Sequence, residues 1–294
     1  MKIAVITDST CTLTKEEQQQ YNINVLSTPI EIGGQEYREG INITSAELFD
    51  KINAGEGFPK TSQPSMGEAL ELCQNLHDEG YEAIIIITLT NTISGCFNTM
   101  QNIARMHPEF NIYPYDSHLT VKMQGYLAIA ASIMAQNGLE PDAIIERLDQ
   151  LRATIDELFI VNDLGYLRRG GRLSNASAFV GTLLQIKPLL TFDNDSGKIV
   201  AFDKVRSMKR ALAKIEDLAQ ERISKLEYRD KLRFLIIHSN DENQAKKVSE
   251  DINRLIPGRP VEIVEFSPAI ATHLGEKSLG IAWMYDPFEF NLKK

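Results

Sequence analysis

Ser94 stands in Thr92-Ile93-Ser94-Gly95-Cys96, directly after the apolar run 83–88 and ahead of a helical pattern. In open α/β sheets, ligands collect beyond the carboxyl ends of the strands. The first turn of a helix there offers unpaired N–H groups and positive potential to an anion. A serine hydroxyl at that place hydrogen-bonds a carboxylate or phosphate. It equally caps the helix, and the residues alone favour the cap. Thr61-Ser62-Gln63-Pro64 is a second hydroxyl-rich turn, and Ser65 with Glu68 has the spacing to cap the helix after it. His273 sits in a turn with glycines at 275 and 280, and a lone histidine is more often structural than functional. Arg206 follows a hairpin strand beside Lys204, Lys209 and Arg210, where a solvated basic face is the ordinary account. Arg168-Arg169-Gly170-Gly171-Arg172 is a basic glycine-rich turn, suited to an anion, to an acidic partner or to solubility alone.

Several chemistries lack their motifs. There is no GxGxxG dinucleotide fingerprint, no GxxxxGK[ST] phosphate loop, no GxSxG elbow around any serine and no HExxH. Cys11, Cys73 and Cys96 are odd in number and widely spaced, so neither a disulfide framework nor a zinc site is expected, and no metal or cofactor. Reduced thiols suit a cytoplasmic protein. The formal net charge of -9 repels a nucleic-acid backbone, so no nucleic-acid partner is expected. The apolar run Ile3 to Ile6 is too short for a signal peptide. The longest apolar stretch, 126–135, is about half of the roughly 20 residues a membrane span needs. A soluble chain whose membrane contact is peripheral is expected.

These groups need a scaffold, and the pattern supplies one. The run 2–7 reads as a strand ended by Asp8-Ser9. Thr14 and Glu17 have capping-box spacing for the next helix. Residues 23–32 read as one strand turning at Gly33-Gly34, and 45–52 as a helix. AIIIIT (83–88) is a continuous apolar run, the mark of a strand buried on both faces. A helix follows over 96–106, then NIYPYDS (111–117) repeats the strand-then-Asp-Ser pattern, then a helix spans about 122–136. Strand and helix alternating at this spacing predict a doubly wound α/β domain. The second half predicts a strand near 157–164, a helix over the apolar stretch 178–186 and a hairpin over 188–205 tipped by Asp195-Ser196-Gly197. Helix 207–225, strand 234–239, helix 241–255 and strand 261–266 follow. Two domains, 1–155 and 156–294, are expected.

Taken in order, these segments resemble the DegV family of bacterial lipid-binding proteins. The matching pieces are ITDST (6–10), KTSQPS (60–65), LTNTISGCFNT (89–99), YDS (115–117), NDLGYLRRGGRLS (162–174), IKPLL (186–190), KVRSMKRA (204–211) and the HLG…LG loop (273–280). The resemblance implies a two-domain α/β fold with a Rossmann-like N-terminal domain and a long-chain fatty acid between the domains. It implies a lipid-binding protein rather than an enzyme, the fatty-acid-binding subunit of a bacterial fatty acid kinase. A separate kinase chain phosphorylates the bound carboxylate, and the acyl phosphate feeds phospholipid synthesis. Position by position, Thr61 and Ser94, with Ser62 and Gly95 beside them, match the hydroxyl turns that hold the carboxylate. His273 matches a histidine of that network, and Arg206 the arginine near the head group.

The resemblance has departures. The family's C-terminal loop commonly reads HxGPGxxG, whereas here Glu276-Lys277 replaces the Pro-Gly pair. Cys96-Phe97 replaces a common Thr-Tyr, and Cys11-Thr12 a small-acidic pair. Arg168, Arg169, Arg172 and Phe179 are expected to form a basic-apolar surface for transient membrane contact or for the kinase partner, with a core helix as the other reading of 178–186. Two other functions remain open on the residues: an acyl hydrolase using Ser94 and His273, and a binding module for a different anionic small molecule.

Overall fold

Ile3, Ala4, Val5 and Ile6 have no polar face to turn to water, and neither do Ala83 to Ile87. Both runs therefore become central strands, covered on both sides. In the computed structural model, which describes residues 1–174 and 186–292, they are β1 (Ile3–Asp8) and β6 (Ala83–Thr88), buried along their whole length. With β2 (Ile23–Leu26) and β7 (Ile112–Asp116) they make a parallel sheet in the order β2-β1-β6-β7. The order reverses direction between β1 and β6, and in open α/β sheets such a switch point is where ligands collect, beyond the carboxyl ends of the strands.

Helices α3 (Met66–Asp78), α4 (Cys96–Met106), α5 (Val121–Gln136) and α6 (Pro141–Arg152) belong to this unit. The apolar residues of α5 run all round it, and it is almost wholly buried, as such a helix must be. It lies so close to the turn after β1 that a Cβ on Gly125 would sit 2.6 Å from the Cys11 carbonyl oxygen. Thr14 and Glu17 close the expected capping box on α1 (Lys15–Gln20).

The single strand expected over 23–32 is two. β2 ends at Leu26, and β3 (Pro29–Ile32) joins a separate antiparallel sheet with β4 (Gln35–Arg38) and β5 (Lys60–Thr61). The break is at Ser27-Thr28, where the Thr28 amide leaves the ladder to bond Ser9 Oγ at 2.9 Å. Gly33 and Gly34 both have positive φ, as a two-residue hairpin turn requires.

A second unit holds a six-stranded mixed sheet in the order β10-β9-β8-β13-β11-β12. Its strands are β8 (Asp156–Ile160), β9 (Lys187–Phe192), β10 (Ile199–Val205), β11 (Leu232–His238), β12 (Val261–Glu265) and β13 (Leu279–Tyr285). Only β11 and β12 run parallel, joined through α9 (Glu242–Leu255). Helix α8 (Met208–Ser224) and α9 pack Ile215, Val248 and Ile252 with Leu158, Phe234 and Trp283 in one core. Three further α-helices, α2 (Ser45–Asn53), α7 (Leu164–Gly170) and α10 (Pro268–Leu274), lie among the described residues of the unit. Among the described residues, no helix is long and apolar enough to cross a membrane.

The division differs from two contiguous halves. Residues 44–58 cluster with 154–286, and 287–294 cluster with 1–43 and 59–153. Tertiary contacts decide this. Ser45 Oγ donates to the Phe266 carbonyl at 2.8 Å, and the Phe288 ring lies against Tyr21 and Tyr126. Phe179 and the apolar stretch 178–185 lie outside the described residues.

Candidate functional site

In the first unit, the candidate site is built from two buried carboxylates that end two parallel strands. Asp8 ends β1, and burial pushes its carboxyl up from the ordinary range while hydrogen bonds to it pull the other way. Its Oδ1 accepts from the Thr10 amide at 3.1 Å and the Thr10 hydroxyl at 2.5 Å. Its Oδ2 accepts from the Leu89 amide at 2.8 Å and Gln124 Nε2 at 3.0 Å. Asp116 ends β7 and accepts from the Asn91 amide at 3.2 Å and the His118 amide at 3.0 Å. The loop after β6 is thus pinned at Leu89 by one strand end and at Asn91 by another. That loop carries Ser94. Thr12, His118 and Val121 hold positive φ around the same edge, unusual for any of them and most strained for the β-branched Thr and Val. Such outliers cluster where a fold fixes a functional surface.

Ser94 is half-buried. Its Oγ accepts from the Cys96 amide at 3.2 Å from one residue ahead of the N-cap, rather than from the N-cap position itself, and the hydroxyl proton remains a donor for an anion. Gly95 is the N-cap residue of α4 and supplies no side-chain cap. A Cβ there would fall 2.2 Å from Gln63 Oε1, so a glycine lets the 61–65 turn approach. Gln63 Nε2 then donates to Thr99 Oγ1 at 2.6 Å. This latch brings the Thr61-Ser62 turn to the start of α4. Thr61 is on β5 rather than in the expected turn, held by pairing with Ile30. Ser62 is exposed, with its amide on the Pro29 carbonyl. Ser65 caps α3 through the Glu68 amide, as its spacing predicts. Cys96, buried at the head of α4, has its thiol pushed well up by burial and by Asp8, which keeps it a poor nucleophile.

In the second unit, His273 occupies the last turn of α10, not a loop; Gly275, at φ +77, closes the helix after it. The ring is half-buried and pushed down to about 4, first by burial and then by the Arg172 charge. The basic run is not one turn. Arg168 and Arg169 form the exposed last turn of α7, and Arg172 lies beyond its Gly171 cap, half-buried. Arg169 stacks its guanidinium over Phe58 at 3.9 Å and over Tyr166 at 4.8 Å. Arg206 is exposed, between the end of β10 and the Ser207 cap of α8. The cation beside His273 is therefore Arg172.

No sequence pattern assigns a site role to Asp8, Asp116, Gln63, Gln124 or Gly170, although Asp8, Gln63 and Gly170 fall in strand ends and turns named above. The signal for the two aspartates was present, since both end a strand and precede a serine. Gln63 and Gly170 act through tertiary approach, which no local pattern marks. Among the described residues, no cluster of three or more His, Cys, Asp or Glu is placed to hold a metal.

A family model described as "Uncharacterised protein, DegV family" matches residues 2–286. A DegV domain-containing protein of Listeria monocytogenes is 39% identical over 282 residues, 96% of this chain and 98% of that protein. The crystal structure of DegV from Bacillus subtilis, described as a fatty acid binding protein, superposes with a TM-score of 0.88. It is 37% identical and covers 97% of this chain and 99% of that one. A fatty acid binding DegV family protein of Streptococcus agalactiae gives a TM-score of 0.87 at 35% identity, with 97% and 99% covered.

Proposed function

Because this chain belongs to the DegV family, we propose that it binds a long-chain fatty acid and presents its carboxylate to a separate kinase chain. The observation that carries the reading is the whole-length match to two structures described as fatty acid binding, joined to a pinned loop that offers the Ser94 hydroxyl at a strand switch point. In this reading the hydroxyls of Thr61, Ser62 and Ser94 and the Gly95 segment donate to the carboxylate. His273 and Arg206 of the second unit are further head-group residues.

The energetics divide the work. A tail of about 15 methylenes at ~0.8 kcal/mol each gives a gross burial term near ~12 kcal/mol. Each head-group hydrogen bond contributes about 1 kcal/mol. The tail sets affinity, and the head group sets orientation and leaves an oxygen for phosphorylation. Without those donors the buried carboxylate would cost several kcal/mol, roughly. The acyl phosphate formed by the kinase chain adds negative charge, which Arg206 offsets. The exposed Arg168 and Arg169, with Phe179, serve membrane or kinase contact, and the protein works in the cytoplasm.

The test is acyl-phosphate formation from oleate with a DegV-partner kinase chain and ATP. The reading expects product with this chain present and a clear loss with Arg206→Ala. Equal product with Arg206→Ala removes Arg206 from the head group, and no product with the unaltered chain removes the kinase role.

A further inference from the structure

Ser94 is placed by the start of its loop, and that start is tied to three remote segments. The pairing of β1 with β6 ends at Thr7 and Ile87. Beyond it the Leu89 amide donates to Asp8 Oδ2 at 2.8 Å, the Thr90 amide to the Leu119 carbonyl at 2.8 Å and the Asn91 amide to Asp116 Oδ2 at 3.2 Å. The Thr92 amide then turns back to Thr90 Oγ1 at 3.4 Å, and the Ile93 amide to the Thr90 carbonyl at 3.3 Å. Where Leu89 and Thr90 sit therefore sets where Ser94 sits.

Asp8 is in turn held by α5. Gln124 on that helix is fully buried. Its Nε2 donates to Thr7 Oγ1 at 2.9 Å and to Asp8 Oδ2 at 3.0 Å, so one carboxylate oxygen receives both Gln124 and the Leu89 amide. The Thr10 hydroxyl, bonded to Asp8 Oδ1, lies 3.2 Å from Gln124 Oε1 and accepts from Thr120 Oγ1 at 3.1 Å. Val121, between Thr120 and Gln124 in the chain, is held at φ +54. An apolar side chain at 124 would dock α5 on the sheet without desolvating an amide. A buried polar network beside a strained backbone is the mark of a place where geometry is fixed. We propose that Gln124 is a positioning residue for Ser94: through Asp8 it sets how the chain leaves β6, and with it the direction in which the Ser94 hydroxyl is offered. The inference rests on reading Ser94 as a carboxylate-binding group.

The test is a double-mutant cycle in oleate affinity on the full chain, with amide hydrogen exchange of the ligand-free protein alongside. Gln124→Met keeps the length of the side chain and removes its hydrogen bonds. It is expected to weaken oleate about fivefold alone and not at all in a Ser94→Ala background, because both act through one hydroxyl. The Leu89 amide is expected to lose about tenfold more protection than the Val5 amide in the middle of β1. Tyr115→Phe, which loses a bond to Asp149 at 3.0 Å, is the structural control and is expected to leave oleate affinity unchanged. A further fivefold loss in the Ser94→Ala background overturns the proposal, as does an equal oleate loss in Tyr115→Phe or equal loss of protection at Leu89 and Val5. Where Gln124→Met fails to fold, Thr7→Val removes the other acceptor of the same amide, and the same exchange comparison decides. A wild-type chain that refuses oleate while Leu89 alone loses protection in Gln124→Met sinks the fatty-acid reading and supports Gln124 as the residue that sets the loop.

Discussion

Ser94 and Ser65 are both serines at helix starts, and each accepts an amide proton, from Cys96 and Glu68 respectively. The account gives them different work. Ser65→Ala loses a cap and is expected to cost about 1 kcal/mol of stability with oleate affinity unchanged. Ser94→Ala removes a donor to the carboxylate and is expected to weaken oleate by roughly five- to tenfold. Thermal melts and fluorescence displacement of a bound fatty-acid analogue separate the two, and equal affinities for both variants would contradict the assignment. From the sequence the two serines looked alike. What distinguishes them is the loop each belongs to: Leu89 and Asn91 are tied to Asp8 and Asp116, residues far away in the chain.

At the scale of elements, the C-terminal loop carries its own record of substitution. Lys277 stands at φ +61 where the family pattern commonly has glycine, and its N–H donates a hydrogen bond to the Ser239 carbonyl at 2.7 Å that holds it there. A left-handed conformation costs an L-residue about 1–2 kcal/mol. Lys277→Gly is therefore expected to stabilise the chain by up to about 1 kcal/mol after the entropy of glycine is counted. Lower stability in denaturant unfolding would show that the lysine side chain supplies more than the strain removes. Strand β8 holds a second element-scale effect. Glu157 is buried, and its Oε1 accepts the Phe192 amide at 2.6 Å and the Thr191 hydroxyl at 3.0 Å. Burial pushes it up to about 8 from an ordinary value of 4.5. The folded chain then holds an extra proton between those values. The stability that proton brings is full below the ordinary value and is lost as pH rises toward the folded one. Glu157→Gln keeps the acceptor and removes the titration, so its Tm is expected to fall less than wild type between about pH 5 and pH 8.5. Parallel curves would contradict this. A strand was legible here, although it ends at Ile160 rather than at 164, and nothing local marks Glu157 as buried.

At the scale of the molecule, the alternation of strands and helices in the first unit was legible because β1 and β6 carry unbroken apolar runs, 3–6 and 83–87. The capping boxes and glycine turns fixed its boundaries. The crossing segments were not legible: 44–58 and 287–294 join their units by side chains such as Ser45 and Phe288 that meet residues remote in sequence. The same holds for His273, whose turn became the end of α10 once Pro268 and the Ser267 cap opened a helix before it. Family resemblance ranked candidate residues that local pattern could not. The central claim is that this molecule carries a long-chain fatty acid, and native mass spectrometry of the purified protein tests it most directly, with solvent extraction of what it carries. One fatty acid of roughly fourteen to eighteen carbons per chain is the predicted result. A protein that arrives empty and then refuses added oleate and palmitate would contradict the account.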